Sequence, residues 1–199
     1  MRVQELLNVP NGEWDNTKNT ENLKLYKRKG LKGSDVCIKT IVKLPGIPKQ
    51  KAWNCFADIN VRKQWDENLH DMTILNEDIE KGTVVFHYTI PTPVLVTTRE
   101  SVVEKKMMYD FPVSGAWTIH CKSVAHKNKP ENPKKFVRVD IKCNCMVFED
   151  CPEVRGTKIS WIIHNDAHSN APRSILESQA LKAPEKAINS LTKYCSSHP

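Results

Sequence analysis

The sequence predicts an α+β fold in which one curved antiparallel sheet packs against a long C-terminal helix. Eight runs of residues show the alternation and the β-branched content of strands, and turns that contain Gly or Pro separate them. A helical period appears in two places, at residues 46–65 and 172–195. Consecutive strands with short connections favour antiparallel pairing, so the pattern indicates one sheet built as a meander.

The strands come first in this prediction because they define the faces of the sheet. They are expected at residues 23–30, 34–44, 72–79, 83–90, 97–107, 115–124, 135–148 and 157–166. Alternate side chains of a strand point to opposite faces, and we take the more apolar parity as inward. The inward residues are then Phe86, Tyr88 and Ile90; Trp117, Ile119 and Cys121; Val137, Val139, Ile141 and Cys143; and Ile159, Trp161 and Ile163.

The helices follow from a change of period. Pro48 can open the first helix, where apolar residues recur at three- and four-residue intervals from Ala52 to Ile59, and a second short helix begins near Asn60. The C-terminal region has an apolar stripe at helical spacing, in which Pro184 predicts a kink or a break. One helix is about 10 Å wide, too narrow to fill a broad concave sheet. Either the short helices fill the remainder as a packed core, or a cavity is left.

The composition limits the partners. The chain has 199 residues, which predicts one domain over residues 1–199, and its formal charge is +7. This excess of positive charge would draw the protein towards an anionic membrane surface. The sequence contains no block of five like charges, so a nucleic-acid partner is not indicated. Neither a secretory signal nor an apolar run long enough to span a membrane is recognisable. We therefore expect a soluble, cytoplasmic monomer.

The cysteines indicate neither disulfides nor a metal. Seven are scattered without the spacing of a disulfide framework, which suits a reducing compartment. Cys143, Cys145 and Cys151 lie close in sequence, yet no C-x-x-C motif or His pair completes a zinc set. Free cysteine is commonly buried, so we interpret these residues as structural and expect neither a metal nor a cofactor.

A charged cluster near residue 62 raises a question of its own. Arg62 and Asp66 lie four residues apart, so on a helix they share one face, and Trp65 is next to the acid. Such a pair is either an ordinary surface ion pair or an inward pair that meets a charged ligand. Spacing alone leaves both alternatives open.

Four segments carry recognisable motifs in a fixed order, at residues 46–69, 91–103, 122–139 and 166–184. In the first of them, a helix leads into an Arg-x-x-Trp-Asp signature with Arg62, Trp65 and Asp66 in place. Together these motifs resemble those of the START domain, the StAR-related lipid-transfer module, roughly from Trp14 to Tyr194. The resemblance implies a helix-grip fold, in which the sheet wraps the C-terminal helix around a tunnel that holds one lipid.

The resemblance is strongest to the phosphatidylcholine-transfer branch, which shares the run "RKQWD" at residues 62–66. There the Arg meets the lipid phosphate and the Asp pairs with that Arg, so Arg62 and Asp66 become head-group residues. The branch surrounds choline with aromatic side chains. One register of the strand at 83–90 offers Phe86 and Tyr88 for this role, and the other offers His87 and Thr89; alternation favours the first.

The next strand departs from that branch, because Ser101 and Val103 stand where the branch has aromatic residues. A head group other than choline, such as ethanolamine, is therefore consistent with the sequence. Ser101 joins the head-group residues. The apolar loop residues Val94, Leu95 and Val96 are implied to form a membrane gate with the last helix. The implied tunnel lining comprises Val103, Trp117, Ile119, Ile141, Trp161, Ile163, Leu181 and Ile188.

The family's Arg-Asp strand start is Arg99-Glu100 here, which we interpret as a structural pair. The resemblance implies a non-enzymatic carrier that binds one lipid, preferably a glycerophospholipid, and transfers it during transient contact with membranes. A sterol-binding START protein and a sensor that binds lipid without transferring it are the alternatives. A hydrolase is a weaker alternative, because the chain has many histidines but no nucleophile elbow or P-loop.

Overall fold

The structure is a computed structural model that describes residues 11–90 and 97–198. Its strands are β1 (Trp14–Asn19), β2 (Leu23–Arg28), β3 (Asp35–Leu44), β4 (His70–Asp78), β5 (Thr83–Ile90), β6 (Arg99–Tyr109), β7 (Trp117–Ser123), β8 (Val137–Arg138), β9 (Asp140–Cys151) and β10 (Gly156–Asp166). The helices are α1 (Lys49–Ala57), α2 (Ile59–Trp65) and α3 (Arg173–Ser197), and short 3-10 turns lie at Asn11–Glu13 and Pro152–Val154.

All ten of these strands belong to one sheet. Its order is β1–β2–β3–β10–β9–β7–β6–β5–β4, with antiparallel neighbours throughout, and β8 runs parallel to β6 off this path. The α+β fold expected from the sequence is confirmed, with an antiparallel sheet and a long C-terminal helix. Two details differ: β1 was not predicted, because its polar residues show no apolar alternation, and the run at 135–148 is divided between β8 and β9.

We call the face of the sheet that packs against the helices the inner face. Its largest cluster joins Trp53 and Phe56 of α1, Trp65 of α2 and Ile188 of α3 to side chains of the central strands. Phe148 lies among the helices' aromatic rings, with ring centroids 5.4 Å from Trp53 and 5.8 Å from Phe56. The short helices therefore fill one end of the concave sheet with packed aromatic side chains.

One inward assignment is wrong. Cys143 packs on the outer face, in a cluster with Trp14 and Cys37, whereas Ile141 packs on the inner face. The register between β9 and β10 shifts here, since His164 pairs with Cys143 and Asn165 pairs with Ile141. This β-bulge adds one residue to β9 and thereby reverses the parity of the strand, which alternation alone does not reveal.

Helix α3 runs without interruption through Pro184, so the alternative of a break at that residue is wrong. Its buried residues include Leu176, Ala187 and Leu191, which follow the predicted stripe. Ion pairs tie its exposed side to the first strands: Lys27 Nζ lies 3.0 Å from a carboxylate oxygen of Glu177. Within residues 11–90 and 97–198, no helix is apolar and long enough to cross a membrane.

Candidate functional site

The short helix α2 carries the charged cluster that the sequence singled out. The side chain of Asp58 caps its start by accepting hydrogen bonds from the backbone N–H groups of Asn60 and Val61. Its buried residues, Ile59, Arg62 and Trp65, recur every three residues and so share one face. This face turns towards the interior, which directs a positive charge inward.

Trp65 fixes the orientation of α2 against α1. Its indole Nε1 donates to the Cys55 carbonyl at 3.0 Å, and its ring meets Phe56 edge to face at 4.9 Å between centroids. The guanidinium carbon of Arg62 lies 5.6 Å from the centroid of the same Phe56 ring. The packing of the tryptophan thus positions the arginine.

Arg62 and Asp66 form a buried ion pair. Nε of Arg62 donates to Oδ2 of Asp66 at 2.9 Å, and the two residues are 5% and 4% exposed. The other carboxylate oxygen, Oδ1, accepts the backbone N–H of Asn68 at 3.1 Å. In the described part of the chain, the terminal NH2 groups of Arg62 have no further acceptor. The surface alternative is therefore wrong, and the guanidinium keeps two donor groups for another partner.

Phe86 and Tyr88 lie on the inner face of β5, as the first register predicts. Both pack in a cluster with Ile59 of α2, and their rings stack at 5.7 Å between centroids. Burial raises the pKa of Tyr88, so its phenol stays protonated across the physiological range. Tyr88 pairs across the strands with Ser101, whose hydroxyl donates to the Val139 carbonyl at 3.1 Å.

Lys105 is a buried cation of the inner face that our sequence reasoning missed. It is 0% exposed, its Nζ donates to the Ala57 carbonyl at the end of α1, and the same Nζ lies 5.9 Å from the Phe86 ring centroid. Burial lowers its pKa to about 8, and the nearby Arg62 contributes to that shift. The parity that turns Ser101 inward also turns Lys105 inward, so the signal was present in the alternation.

The predicted tunnel-lining residues fall into three clusters of the inner face. Val103 and Ile141 pack beside Phe86 and Tyr88, whereas Leu181 packs against Val36 and Ile38 at another part of the sheet. The others belong to or pack against the aromatic cluster under α1: Trp117, Ile119, Trp161, Ile163 and Ile188. Their role as lining of a lipid tunnel stays a prediction, as does that of Ser101 in head-group contact.

A polar contact also reaches this aromatic cluster. Nε1 of Trp161 donates to Oδ1 of Asn144 at 2.7 Å, and Asn144 faces Cys121 across the β7–β9 pair. The sequence did not single out Asn144, because the bulge in β9 hides its inward parity.

The predicted gate residues Val94, Leu95 and Val96 lie outside the described residues, so the gate also stays a prediction.

A second ion network lies on the outer face. Oε2 of Glu100 lies 2.8 Å from Nε2 of His87, and its Oε1 accepts both Nε and an NH2 group of Arg138, at 3.1 and 2.8 Å. Burial raises the pKa of Glu100, but the hydrogen bonds with His87 and Arg138 outweigh it, so the pKa is lowered overall. The pairing of Arg99 with Glu100 is thus wrong: Arg99 donates to the Thr97 carbonyl and to Ser169 instead.

A cavity of about 860 Å³ is lined mainly by the segment that follows β7, between Ser123 and Asp140. Arg138, Val102 and His168 contribute to its walls, together with residues between Ser123 and Asp140. None of Arg62, Asp66, Phe86 or Tyr88 is among those walls. The cavity is therefore lined by other residues than these four, although its wall residue Val139 packs with Phe86 and Tyr88.

The candidate site on the inner face, around Arg62 and Tyr88, combines an apolar surface with a few polar groups. This is the usual composition of a site for an amphiphilic ligand. Arg62 and Lys105 supply positive charge, Asp66 supplies one carboxylate, and Tyr88 and Ser101 supply hydroxyl groups. Within residues 11–90 and 97–198, no three His, Cys, Asp or Glu side chains are grouped so that they could hold a metal ion. The chemistry available is recognition of an anionic group beside an apolar body.

The sequence also matches a known protein family. The family model of the START domain matches residues 36–198, which is most of the sequence. The chain therefore belongs to the START domain family. No curated protein sequence matches it.

Solved structures share the fold at low sequence identity. Human STARD10 superposes with a TM-score of 0.83 at 17% identity, covering 98% of this chain and 78% of that protein. The human StAR-related lipid transfer protein 5 gives 0.81 at 16% identity, covering 96% and 90%. The lipid transfer and protein localization domain of human StarD13 gives 0.68 at 19%, covering 95% of each. These similarities confirm the helix-grip fold.

Proposed function

We propose that the protein binds one glycerophospholipid between the inner face and the helices and transfers it between membranes. The observation that carries this proposal is the buried Arg62–Asp66 pair, whose guanidinium is turned inward with two donor groups free of other described partners. Membership of the START family, the StAR-related lipid-transfer fold, supports a lipid ligand.

The chemistry of the pair suits a phosphodiester. A guanidinium binds two phosphate oxygens in a bidentate manner, and such charge-assisted hydrogen bonds are about twice as strong as neutral ones. Asp66 holds Nε of Arg62, which leaves the terminal NH2 groups for the phosphate. The carboxylate also offsets the cost of keeping the cation away from water while no lipid is bound.

The apolar inner face would hold the acyl chains. Each buried CH2 group stabilises the complex by about 0.8 kcal/mol, so two chains supply most of the binding free energy. Val103, Ile141 and Trp161 are proposed to contact these chains, with Phe86 and Tyr88 nearer the head group. Specificity then depends on the few polar side chains around Arg62.

The same geometry is less suitable for sterol binding or for hydrolysis. A sterol carries one hydroxyl group and no charge, so it would leave the Arg62 guanidinium without an anion. A hydrolase would need a free general base, yet both oxygens of Asp66 already accept hydrogen bonds, from Arg62 and from the N–H of Asn68. We therefore propose a non-enzymatic role. The formal charge of +7 supports a transient contact with membrane surfaces in the cytoplasm.

The test combines native mass spectrometry with a vesicle assay. The purified protein is incubated with vesicles of mixed phospholipids and cholesterol, and the bound mass is identified; transfer is then followed from fluorescent donor to acceptor vesicles. We expect one phospholipid per protein and transfer that increases with protein concentration. Bound phospholipid without transfer would indicate a sensor. Bound cholesterol alone, or no bound lipid, would contradict the proposal.

Arg62→Ala and Lys63→Ala form a matched pair for this assay. Both remove one positive charge from α2, but Arg62 is buried and the adjacent Lys63 is exposed. We expect Arg62→Ala to lose phospholipid binding while the circular dichroism spectrum stays unchanged, and Lys63→Ala to bind as the wild type does. Equal binding by the two variants would contradict a role for Arg62 in the site.

A further inference from the structure

The inner face carries one more positive charge than the Arg62–Asp66 pair requires. Among the described residues, the buried charged side chains are Arg62, Asp66, His87, Glu100 and Lys105. His87 and Glu100 bind each other on the outer face, with Arg138. Among the buried side chains, two cations and one carboxylate therefore remain inside, a net charge of +1 when all three are ionised. The carboxylates of Asp58 and Glu77 also act on Lys105, but both side chains are exposed to water.

The position of Lys105 bears directly on the head group. Its Nζ lies 5.9 Å from the centroid of Phe86, within the range of a cation–π contact. Phe86 is also the ring that stacks on Tyr88 at 5.7 Å, the aromatic pair expected to receive the head group. The protein's own ammonium group is thus next to the aromatic surface that a quaternary ammonium would need.

Building on the proposed function, we propose that Lys105 selects a phospholipid whose head group has a net negative charge. The preferred ligand would be one in which no ammonium group compensates the phosphoryl charge. Its phosphoryl group would neutralise the excess charge of Arg62 and Lys105. A choline or ethanolamine head group would instead bring a third cation into a site where water screens charges poorly.

The neighbouring strands support this choice. Ser101, which faces Tyr88 across the strand pair, offers a hydroxyl group and no ring that could surround an ammonium. Cys121 faces Lys105 in the β6–β7 register, and Arg62 and Lys105 both lower the pKa of the Cys121 thiol against the larger effect of burial. The two cations therefore act on the same small volume of the interior.

Lys105 also has a structural role, and the test must distinguish this role from the proposed effect on head-group selection. Its Nζ donates to the carbonyl of Ala57, the last residue of α1, where a cation stabilises the helix terminus. Glutamine at this position can still donate a hydrogen bond but carries no charge. The adjacent Lys106 is exposed on the same strand, so Lys106→Gln removes an equal charge outside the site.

The experiment measures head-group selection rather than total binding. Wild type, Lys105→Gln and Lys106→Gln are incubated with vesicles that contain phosphatidylcholine, phosphatidylethanolamine, phosphatidylglycerol and phosphatidic acid in equal amounts, with identical acyl chains and added oleate. Because every lipid is on the same surface, electrostatic attraction to the vesicle does not bias the choice. Native mass spectrometry gives the fraction of protein that holds each lipid.

We expect the wild type and Lys106→Gln to favour the two anionic phospholipids over phosphatidylcholine by about tenfold or more. Lys105→Gln should lose most of that preference while still binding phospholipid. A wild type that takes up phosphatidylcholine equally well, or an unchanged preference in Lys105→Gln, would overturn the inference and leave the proposed function standing. Bound oleate alone, or no bound lipid, would contradict both.

Discussion

Arg62 donates from Nε to Oδ2 of Asp66 at 2.9 Å, and the two side chains are only 6% and 2% exposed. A charged pair in this position costs desolvation free energy, which its mutual attraction repays only when further hydrogen bonds satisfy both groups. Asp66 has a second donor in Asn68, whereas Arg62 has two donor groups left over. The pair is thus a poor device for stability and a suitable one for binding an anion.

Asp66→Asn should destabilise the lipid-free protein by about 3–5 kcal/mol, because it leaves a buried guanidinium without a counter-charge. Urea denaturation of lipid-free protein measures this loss. A bound phosphodiester would replace the missing charge, so added phospholipid should stabilise the variant more than it stabilises the wild type. Glu67→Gln is the control: its partner Lys186 is half exposed, at 3.3 Å, and the loss should be small by comparison. Equal losses in the two variants would contradict the buried pair.

The free energy of unfolding should depend on pH through Lys105. Its pKa is about 8 in the folded protein against 10.5 ordinarily, so the unfolded chain holds an additional proton between these values. The contribution of Lys105 to the free energy of unfolding therefore rises with pH across that window. Below about pH 8, burial of the charged ammonium destabilises the folded protein by its full amount, about 3 kcal/mol. The difference between wild type and Lys105→Met in urea denaturation at pH 7 to 10.5 isolates the effect. Lys106→Met, which removes an exposed lysine from the same strand, is the control, and a flat difference for Lys105→Met would contradict the lowered pKa.

Binding of phosphatidylglycerol should weaken above about pH 8. An anion beside Lys105 raises the pKa of the ammonium, so the complex holds a proton that the free protein has lost. The affinity should be constant below pH 8 and then fall, by at most about tenfold per pH unit. The dissociation constant measured from pH 6.5 to 9.5 checks this, with phosphatidylglycerol chosen because its phosphodiester does not titrate there. Lys105→Gln should show no fall, and a fall of the same size in that variant would assign the effect to another group.

Cys55 of α1 and Cys195 of α3 offer a test of whether the last helix moves during lipid exchange. Their Sγ atoms lie 3.9 Å apart, and burial raises the pKa of Cys55 to about 12, so the thiols should react slowly in the folded protein. Diamide, as the oxidant, should accept two electrons from the thiols and yield a disulfide that fixes α3 to α1. We expect slower lipid exchange in the cross-linked protein, restored by dithiothreitol.

Cys195→Ser supplies the control for that experiment, because it cannot form the cross-link, and peptide mass spectrometry confirms which cysteines are joined. Unchanged exchange in fully cross-linked protein would show that α3 need not move away from α1. The other cysteines of the described residues are also buried and free, and those of the outer face lie in a separate cluster with Trp14.

Much of the fold could be predicted from the sequence because alternation and helical period are local properties. Phe86, Ile119 and Trp161 face inward as alternation requires. Cys143 does not, because a bulge is set by strand register, which depends on a partner strand. The polar strand β1 likewise exists through its pairing with β2, and its residues carry no strand signal of their own.

The site was predicted less completely, for a related reason. The Arg62 and Asp66 spacing indicates a shared helix face but not whether that face points inward; the contacts of Trp65 with Cys55 and Phe56 decide it. A lysine in an amphipathic strand is normally solvent-exposed, so Lys105 attracts no notice until its burial is seen. Its inward position follows from the alternation of β6, in which Val103, two residues away, faces inward.

The most direct test of the central claim is the crystal structure of the protein loaded with a single glycerophospholipid. The account predicts lipid density on the inner face, with phosphate oxygens about 2.7–2.9 Å from the terminal nitrogens of Arg62. Asp66 should remain on Nε, and Lys105 should face the head group. Lipid bound instead in the cavity beside Arg138, or an inner lipid whose phosphate does not reach Arg62, would contradict it.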